Sequence, residues 1–133
     1  MPQEDVELRE VVVSAADALN RGDIDRFLVL MDPDVEFTSM IAEAEGEIFR
    51  GHEGVRRWWH NVREAFESVR WDYLDIWTRG DRGVAKLRVE GKLGGVALEQ
   101  TTWQAMTMRH GRALWWAFFR SEREALEAVG LRG

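Results

Sequence analysis

The chain has no cysteine and only two prolines in 133 residues. The missing thiols exclude disulfides, a thiolate nucleophile and thiolate metal ligands, and they fit cytoplasmic residence. No long hydrophobic run is present. The longest, Ala113–Phe119, is far too short to span a bilayer, so no membrane partner is expected. The opening Met1–Asp5 is acidic and lacks the basic and apolar regions of a signal peptide. Positive charge is also scarce: 18 Lys and Arg stand against 24 Asp and Glu, for a net charge of −6. Nucleic acid and anionic membrane both call for a basic face, and neither is expected as a partner. No two His share a helical turn with a Glu, so no metal site is expected. No Gly-rich phosphate loop lies between a strand and a helix, and no Ser sits in a recognisable triad context. No cofactor is therefore expected.

What is abundant is apolar and aromatic. Apolar residues make up 45% of the chain, and seven of them are Trp, a residue that favours cavity walls and interfaces. The length suits one domain over residues 1–133 with a single core. Helical spacing predicts a helix from about Glu4 to Asn20, with Leu8, Val12, Ala15, Ala16 and Leu19 on one face. Gly22 reads as its stop, and Asp23 as the cap of a second helix carrying Ile24, Phe27, Leu28 and Met31. Asp32-Pro33-Asp34 reads as a turn, Val35–Ile41 as a strand and Ala42–Arg50 as an acidic connection. The longest helix opens at Gly51-His52 and runs to about Ser68, with Val55, Trp58, Trp59, Val62, Phe66 and Val69 as its stripe. The period then becomes two. Strands are predicted at about Arg70–Thr78, Val84–Glu90, Val96–Arg109 and Arg112–Arg120, separated by glycine turns. Ser121-Glu122-Arg123-Glu124 reads as a capping box opening a terminal helix that ends near Gly130. Early helices and late strands argue an α+β fold, with one curved antiparallel sheet and helices on its concave side.

The last two strands are the most informative. Leu98, Gln100, Thr102, Gln104, Met106 and Met108 alternate with Glu99, Thr101, Trp103, Ala105 and Thr107. The returning Ala113–Phe119 is apolar on both faces and so must be covered on both. Alternation alone leaves open which set faces inward. Leu98, Met106 and Met108 favour the Gln100, Thr102, Gln104 side, which would then be a polar stripe in an apolar cavity. Trp116, Phe118 and Arg120 share that face. Trp103, Trp115 and Phe119 then lie outside beside Lys86, Arg88, Glu90 and Glu99, an aromatic patch rimmed by charge. Its cover is either a second copy of the chain, or a loop or the tail.

Several phrases resemble the nuclear transport factor 2-like (NTF2-like) superfamily, and most closely its SnoaL-like, polyketide cyclase-like branch. They are Asn20–Ile24, Asp32–Phe37, Phe49–Val55, Gly80–Arg82, Met106–Arg112 and Ser121–Leu131, in the expected order over nearly the whole chain. The resemblance implies a cone-shaped fold, an inward Gln/Thr stripe and a homodimer through the outer sheet face. It spans isomerases, epoxide hydrolases, polyketide cyclases, dehydratases and non-catalytic modules. Its catalytic positions are not filled here. The general-base position of the isomerases falls on Ser39, the oxyanion-hole acid on Gln104, and the first-helix Tyr near Ala15. The late strands, where the hydrolases and cyclases carry acids, offer Gln100, Thr102, Gln104 and aromatics, with Glu99 on the other face.

The implied ligand is a small, mostly apolar organic molecule with a few oxygens. Trp59, at a position where related isomerases carry a pocket aromatic, would form the walls with Trp116 and Phe118. Ser39, Gln100, Thr102, Gln104 and Arg120 would make polar contacts. Any acid or base must come from elsewhere. The candidates are Glu43 and Glu45, in a run that is either a solvated loop or a cover over the cavity mouth, and Asp72 and Asp75, on alternate faces of their strand. A carboxylate held against Trp walls would have a raised pKa and could exchange protons near neutrality. Cofactor-free acid/base chemistry and simple ligand or partner binding both remain open.

Overall fold

The computed structural model describes residues 3–38 and 48–130. Helix α1, Gln3–Asn20, buries Leu8, Val12, Ala15 and Leu19 on one stripe. The Asp23 carboxylate accepts from the Arg26 amide (3.1 Å) and caps α2, Ile24–Val29, which buries Phe27 and Leu28. Strand β1, Met31–Phe37, and the short β2, Phe49–Arg50, precede α3, Gly51–Ala65, whose buried stripe is Gly54, Val55, Trp58 and Val62. A meander follows: β3 Ser68–Arg79, β4 Arg82–Leu93, β5 Val96–Arg109 and β6 Arg112–Phe119. The β5–β6 turn places His110 (φ 52°) and Gly111 (φ 76°) in the left-handed region, as a tight hairpin requires. Ser121 Oγ accepts from the Glu124 amide (3.2 Å) and starts α4, Glu122–Ala128.

The strands form one six-stranded curved sheet in the order β2-β1-β6-β5-β4-β3. Every pair is antiparallel except β1–β6, which is parallel. The main core lies between one sheet face and helices α1, α2 and α3. A smaller cluster lies on the opposite face, where Ala125 and Val129 pack on Val84 and Ala105. The terminal helix is therefore not on the concave side with the others.

Two of the departures from expectation have clear physical reasons. Strand β1 begins at Met31, ahead of the expected Val35. The Asp32-Pro33-Asp34 turn is real, with the Asp34 amide donating to Asp32 Oδ1 (2.8 Å), but it forms a bulge inside the strand. Pro33, which has no N–H, is tolerated there. In β3 a register shift between Tyr73 and Asp75 absorbs one residue. Asp72 and Asp75 consequently lie on the same, outer face, opposite Arg88 and Lys86, and not on alternate faces.

Two polar links hold distant elements together. Strand β3 is a sheet edge, and at Trp71 its free N–H and C=O are both satisfied by the Asn20 side chain, with 2.9 Å bonds in each direction. At the other end of the sheet, Arg109 Nε and Nη2 donate to the two Asp32 oxygens at 3.0 and 2.7 Å, and Nη2 also reaches Asp34 at 3.0 Å. Asp32 is only 4% exposed. The guanidinium bonds, then the Asp34 amide, hold its carboxyl below the usual carboxylate range.

Asn20→Ala is expected to lower unfolding free energy by about 1–3 kcal/mol in a urea titration, the sum of two ordinary hydrogen bonds. Asn20→Asp, which sets a carboxylate oxygen against the Trp71 carbonyl and a negative charge at the helix C-terminus, should lose at least as much. The Asp32 effect has a defined sign with pH. Its folded pKa is depressed, so its contribution is complete above the unfolded value of about 3.9 and disappears as pH falls through the lower folded value. Asp32→Asn should therefore be less stable than wild type at neutral pH, with the gap closing only below about pH 4.

Candidate functional site

The inner sheet face is laid out by the registers. Trp71, Val89 and Gln100 form one row across β3, β4 and β5, and Tyr73, Leu87 and Thr102 the next. Ile76, Ala85, Gln104 and Phe118 form a third. Because α3 crosses this face, side chains of both layers line a half-open cavity of about 140 Å³. Trp58, Val62 and Phe66 line it from the helix side, and Trp71, Val89, Gln100, Thr102 and Phe118 from the sheet. Gly91 lies at its edge; a Cβ there would come within 3.1 Å of the Phe66 ring, so the missing side chain lets that ring settle on the strand. Leu98, 46% exposed, also borders the cavity.

The walls are aromatic. Trp58 packs 4.6 Å from Phe37 and about 6 Å from Phe27, Trp59 and Trp71, centroid to centroid. Polar groups in this core fall into two kinds. The Tyr73 hydroxyl donates to Gln104 Oε1, and burial pushes the phenol far above its ordinary range, so it remains a neutral donor and cannot serve as a base. Trp58 Nε1, Trp116 Nε1 and Thr102 Oγ1 are buried with no hydrogen-bond partner among the described residues. Unpaired buried polar atoms are uncommon in proteins and call for an explanation.

The structure brings some predicted site residues together and separates others. Gln100, Thr102 and Phe118 line the cavity, although Gln100 is exposed at its edge while Thr102 is fully buried. Gln104 is 3% exposed and engaged by Tyr73, outside the cavity lining. Trp116 belongs to the aromatic core and does not line the cavity. Trp59 is turned the other way: half-buried, it lines a separate groove with Leu19, Arg63 and Glu67. Its neighbour Trp58 takes the inward position because it shares the buried stripe of Val55 and Val62. Arg120 is exposed just beyond β6 and touches no part of the cavity lining. Ser39, Glu43 and Glu45 lie outside the described residues.

Asp72 sits on the outer face, paired with Arg70 (3.1 Å) and Arg88 (3.8 Å), and Asp75 is exposed there. Glu99 borders the cavity but pairs with Arg88 on that outer face (3.4 Å). The three aromatics expected at a dimer surface, Trp103, Trp115 and Phe119, are half-buried around the α4 cluster, so the tail helix covers part of that patch. Among the described residues no group of three His, Asp or Glu could hold a metal, and no helix is long and apolar enough to cross a membrane. The reading from sequence missed Trp71 as a wall, and the long-range bonds of Asn20, Asp32 and Tyr73. Only the Trp71 alternation with Val69 and Tyr73 carried a sequence signal.

A cavity between a long helix and a curved sheet is a fold-level signature, and the SnoaL-like domain profile matches residues 12–126. The chain belongs to the SnoaL-like domain family. No curated protein matches the sequence. Among solved structures, this SnoaL-like domain is similar to TerC co-crystallised with polyporic acid, at 22% identity and TM-score 0.78 over 93% of this chain and 98% of that one. It is similar to a Catenulispora acidiphila protein of ketosteroid isomerase-like fold in complex with trimethylamine, at 18% identity and TM-score 0.76 over 92% and 94%. An LEH-like epoxide hydrolase of M. tuberculosis aligns at 13% identity and TM-score 0.74 over 95% and 91%. At these identities the likeness is one of fold.

The unpaired Thr102 hydroxyl generates a prediction for this SnoaL-like domain. Thr102→Val keeps the shape and removes a buried group without a partner, so the unliganded protein should gain about 1 kcal/mol of stability, read by thermal or urea denaturation.

Proposed function

We propose that this SnoaL-like domain is a ligand-binding protein whose pocket, between α3 and the inner sheet face, takes a small, largely apolar organic molecule. The observation that carries this reading is a cavity walled by Trp58, Phe66, Trp71 and Phe118, with the polar side chain of Gln100 at its exposed edge. That is the composition of a binding site: a mostly apolar surface with a few polar groups for orientation. Phe118, Trp71 and Trp58 supply the walls, and Gln100 the polar contact. Similar proteins crystallised with small molecules support the reading at the level of the fold.

Binding is favoured over catalysis. Proton transfer needs an acid or base within reach of the reacting atom. Among the described residues, the cavity lining offers no His and only one carboxylate, Glu99, which is paired outward with Arg88. Asp72 and Asp75 face away, and Tyr73 is held neutral. Isomerase, cyclase, dehydratase or hydrolase activity would rest on Glu43 or Glu45.

The same proposal includes a homodimer and residence in the cytoplasm. The dimer is supported by Trp103, Trp115 and Phe119, half-buried on the outer face, and by the ion pairs of Arg88 with Glu90 and Glu99 at its margin. The absence of cysteine supports a reducing compartment. Native mass spectrometry of the purified protein tests binding and assembly together. The expected result is a dimer mass carrying a small molecule that is lost in Val89→Phe, whose ring would fill the cavity. A bare mass, with no thermal shift from a panel of apolar small molecules, would overturn the ligand reading. A monomer at micromolar concentration in light scattering would overturn the dimer.

A further inference from the structure

The cavity opens along a stretch of sheet that lacks a neighbour. Strand β5 pairs with β4 from Val96 to Thr107, but with β6 only from Trp103 to Arg109. On the β6 side, residues 96–102 have no strand beside them among the described residues. We propose that this edge docks an extended segment of a partner protein, whose backbone pairs with residues 96–102 and whose apolar side chain enters the cavity. The proposal goes beyond the small-molecule reading and shares only the cavity with it. Three observations carry it.

The first is the backbone. Alternate residues of an unpaired edge turn their N–H and C=O away from the sheet, and an added strand satisfies both. Sheet edges are commonly blunted by a bulge, a proline or a lysine. Here the β4–β5 register runs without a shift, and residues 96–102 include no Pro and no Lys. Val96 and Leu98 leave large apolar side chains exposed on this edge.

The second is the position of the opening. Of the side chains that line the cavity, only Leu98, Glu99 and Gln100 are exposed, and all three belong to residues 96–102. A strand laid beside them would cover the opening. Every second side chain of that strand would fall on the inner face, level with Leu98 and Gln100, where the cavity begins. Edge pairing that supplies affinity, with a pocket for alternate side chains that supplies specificity, is a recurring mode of peptide recognition.

The third is charge. Glu99 is the one charged side chain on residues 96–102. It stands opposite Glu90 in the ladder, and the two carboxylates share the Arg88 guanidinium, at 3.4 and 3.1 Å. Lys92, two positions along β4, makes no ion pair with them. Two carboxylates on one guanidinium leave negative charge on the outer side of the edge, which suits a segment with Lys or Arg facing out. The same residue argues against a second copy of this chain as the occupant. Symmetric antiparallel pairing over residues 96–102 would set Glu99 against Glu99, and like charges directly opposite destabilise a sheet.

Amide NMR on the isotope-labelled protein tests this. The probe is the peptide acetyl-Thr-Val-Lys-Phe-Lys-Val-Thr-amide, which as a strand shows Val, Phe and Val on one face and Lys on the other. Alternate amides of residues 96–102 should exchange quickly in the free protein. With the peptide at about ten times its Kd they should exchange about tenfold more slowly. Replacing the peptide's Phe by Ala should weaken it about tenfold, through loss of the buried ring. Glu99→Gln in the protein should weaken it about threefold. Methylating one alternating set of peptide nitrogens should abolish binding, and methylating the other set should be tolerated, because only one set points at β5. Equal effects of the two methylations would overturn the proposal. So would protection of the 96–102 amides before any peptide is added, since the chain itself or a second copy would then hold the edge. Failure of the peptide to bind would also overturn it. Each of these outcomes leaves small-molecule binding in the cavity standing. Protection by the peptide, with no response to apolar small molecules, would support the proposal and overturn the small-molecule reading alone.

Discussion

The side-chain amide of Asn20 completes the sheet where no strand is available to do so. Edge strand β3 turns the N–H and C=O of Trp71 away from β4, and Asn20 meets both as a neighbouring strand would. The consequence reaches beyond the edge. Because Asn20 is the last residue of α1, the helix is pinned across the inner face at one end, and its apolar stripe settles on β3 and β4. The side chain of Trp71, carried by the backbone that Asn20 grips, is thereby set as a wall opposite Trp58. Remove the link, and the helix, the edge and the wall lose a common reference point.

The two faces of the sheet solve opposite problems. Outside, charge is exposed and mutually paired: Arg88 serves Asp72, Glu90 and Glu99, and α4 shields the aromatics nearer β6. Inside, among the described residues, Glu99 is the one charged side chain that borders the cavity, and the polar groups are few. Gln104 and Tyr73 satisfy each other, which ties the second row to the third without consuming space in the cavity. Thr102 lies in the same row as Tyr73 and is left unpaired.

Much of this was legible in the chain. Alternation assigned Gln100, Thr102 and Gln104 to one face and Trp103, Trp115 and Phe119 to the other, because a strand's period of two leaves little freedom once the apolar partners are counted. Helix caps at Asp23 and Ser121 were legible because capping is local chemistry. What could not be read was any fact set by a third residue far along the chain. Which of Trp58 and Trp59 turns inward depends on the roll of α3 against the sheet. Whether Asp72 and Asp75 share a face depends on a bulge with no marking residue. That Gln104 is occupied depends on Tyr73, thirty-one positions away. Periodicity describes one element at a time, and the site is made between elements.

The single parallel pair in the sheet has a consequence for how the chain comes together. Apart from the two-residue β2, the first strand finds its neighbour only in the last, with Met31 beside Ala113 and Phe37 beside Trp116. The meander from β3 to β6 closes through short turns, but β1 has nowhere to dock until residues 112–119 exist. Trp58 of α3 can cover Phe27 and Phe37 early, but the β1 ladder edge that pairs with β6 stays open until residues 112–119 have been made. Joining β1 to β6 closes a long loop, which carries an entropy cost that the local hairpins do not. The Asp32–Arg109 fork, seventy-seven residues apart in sequence, latches that closure.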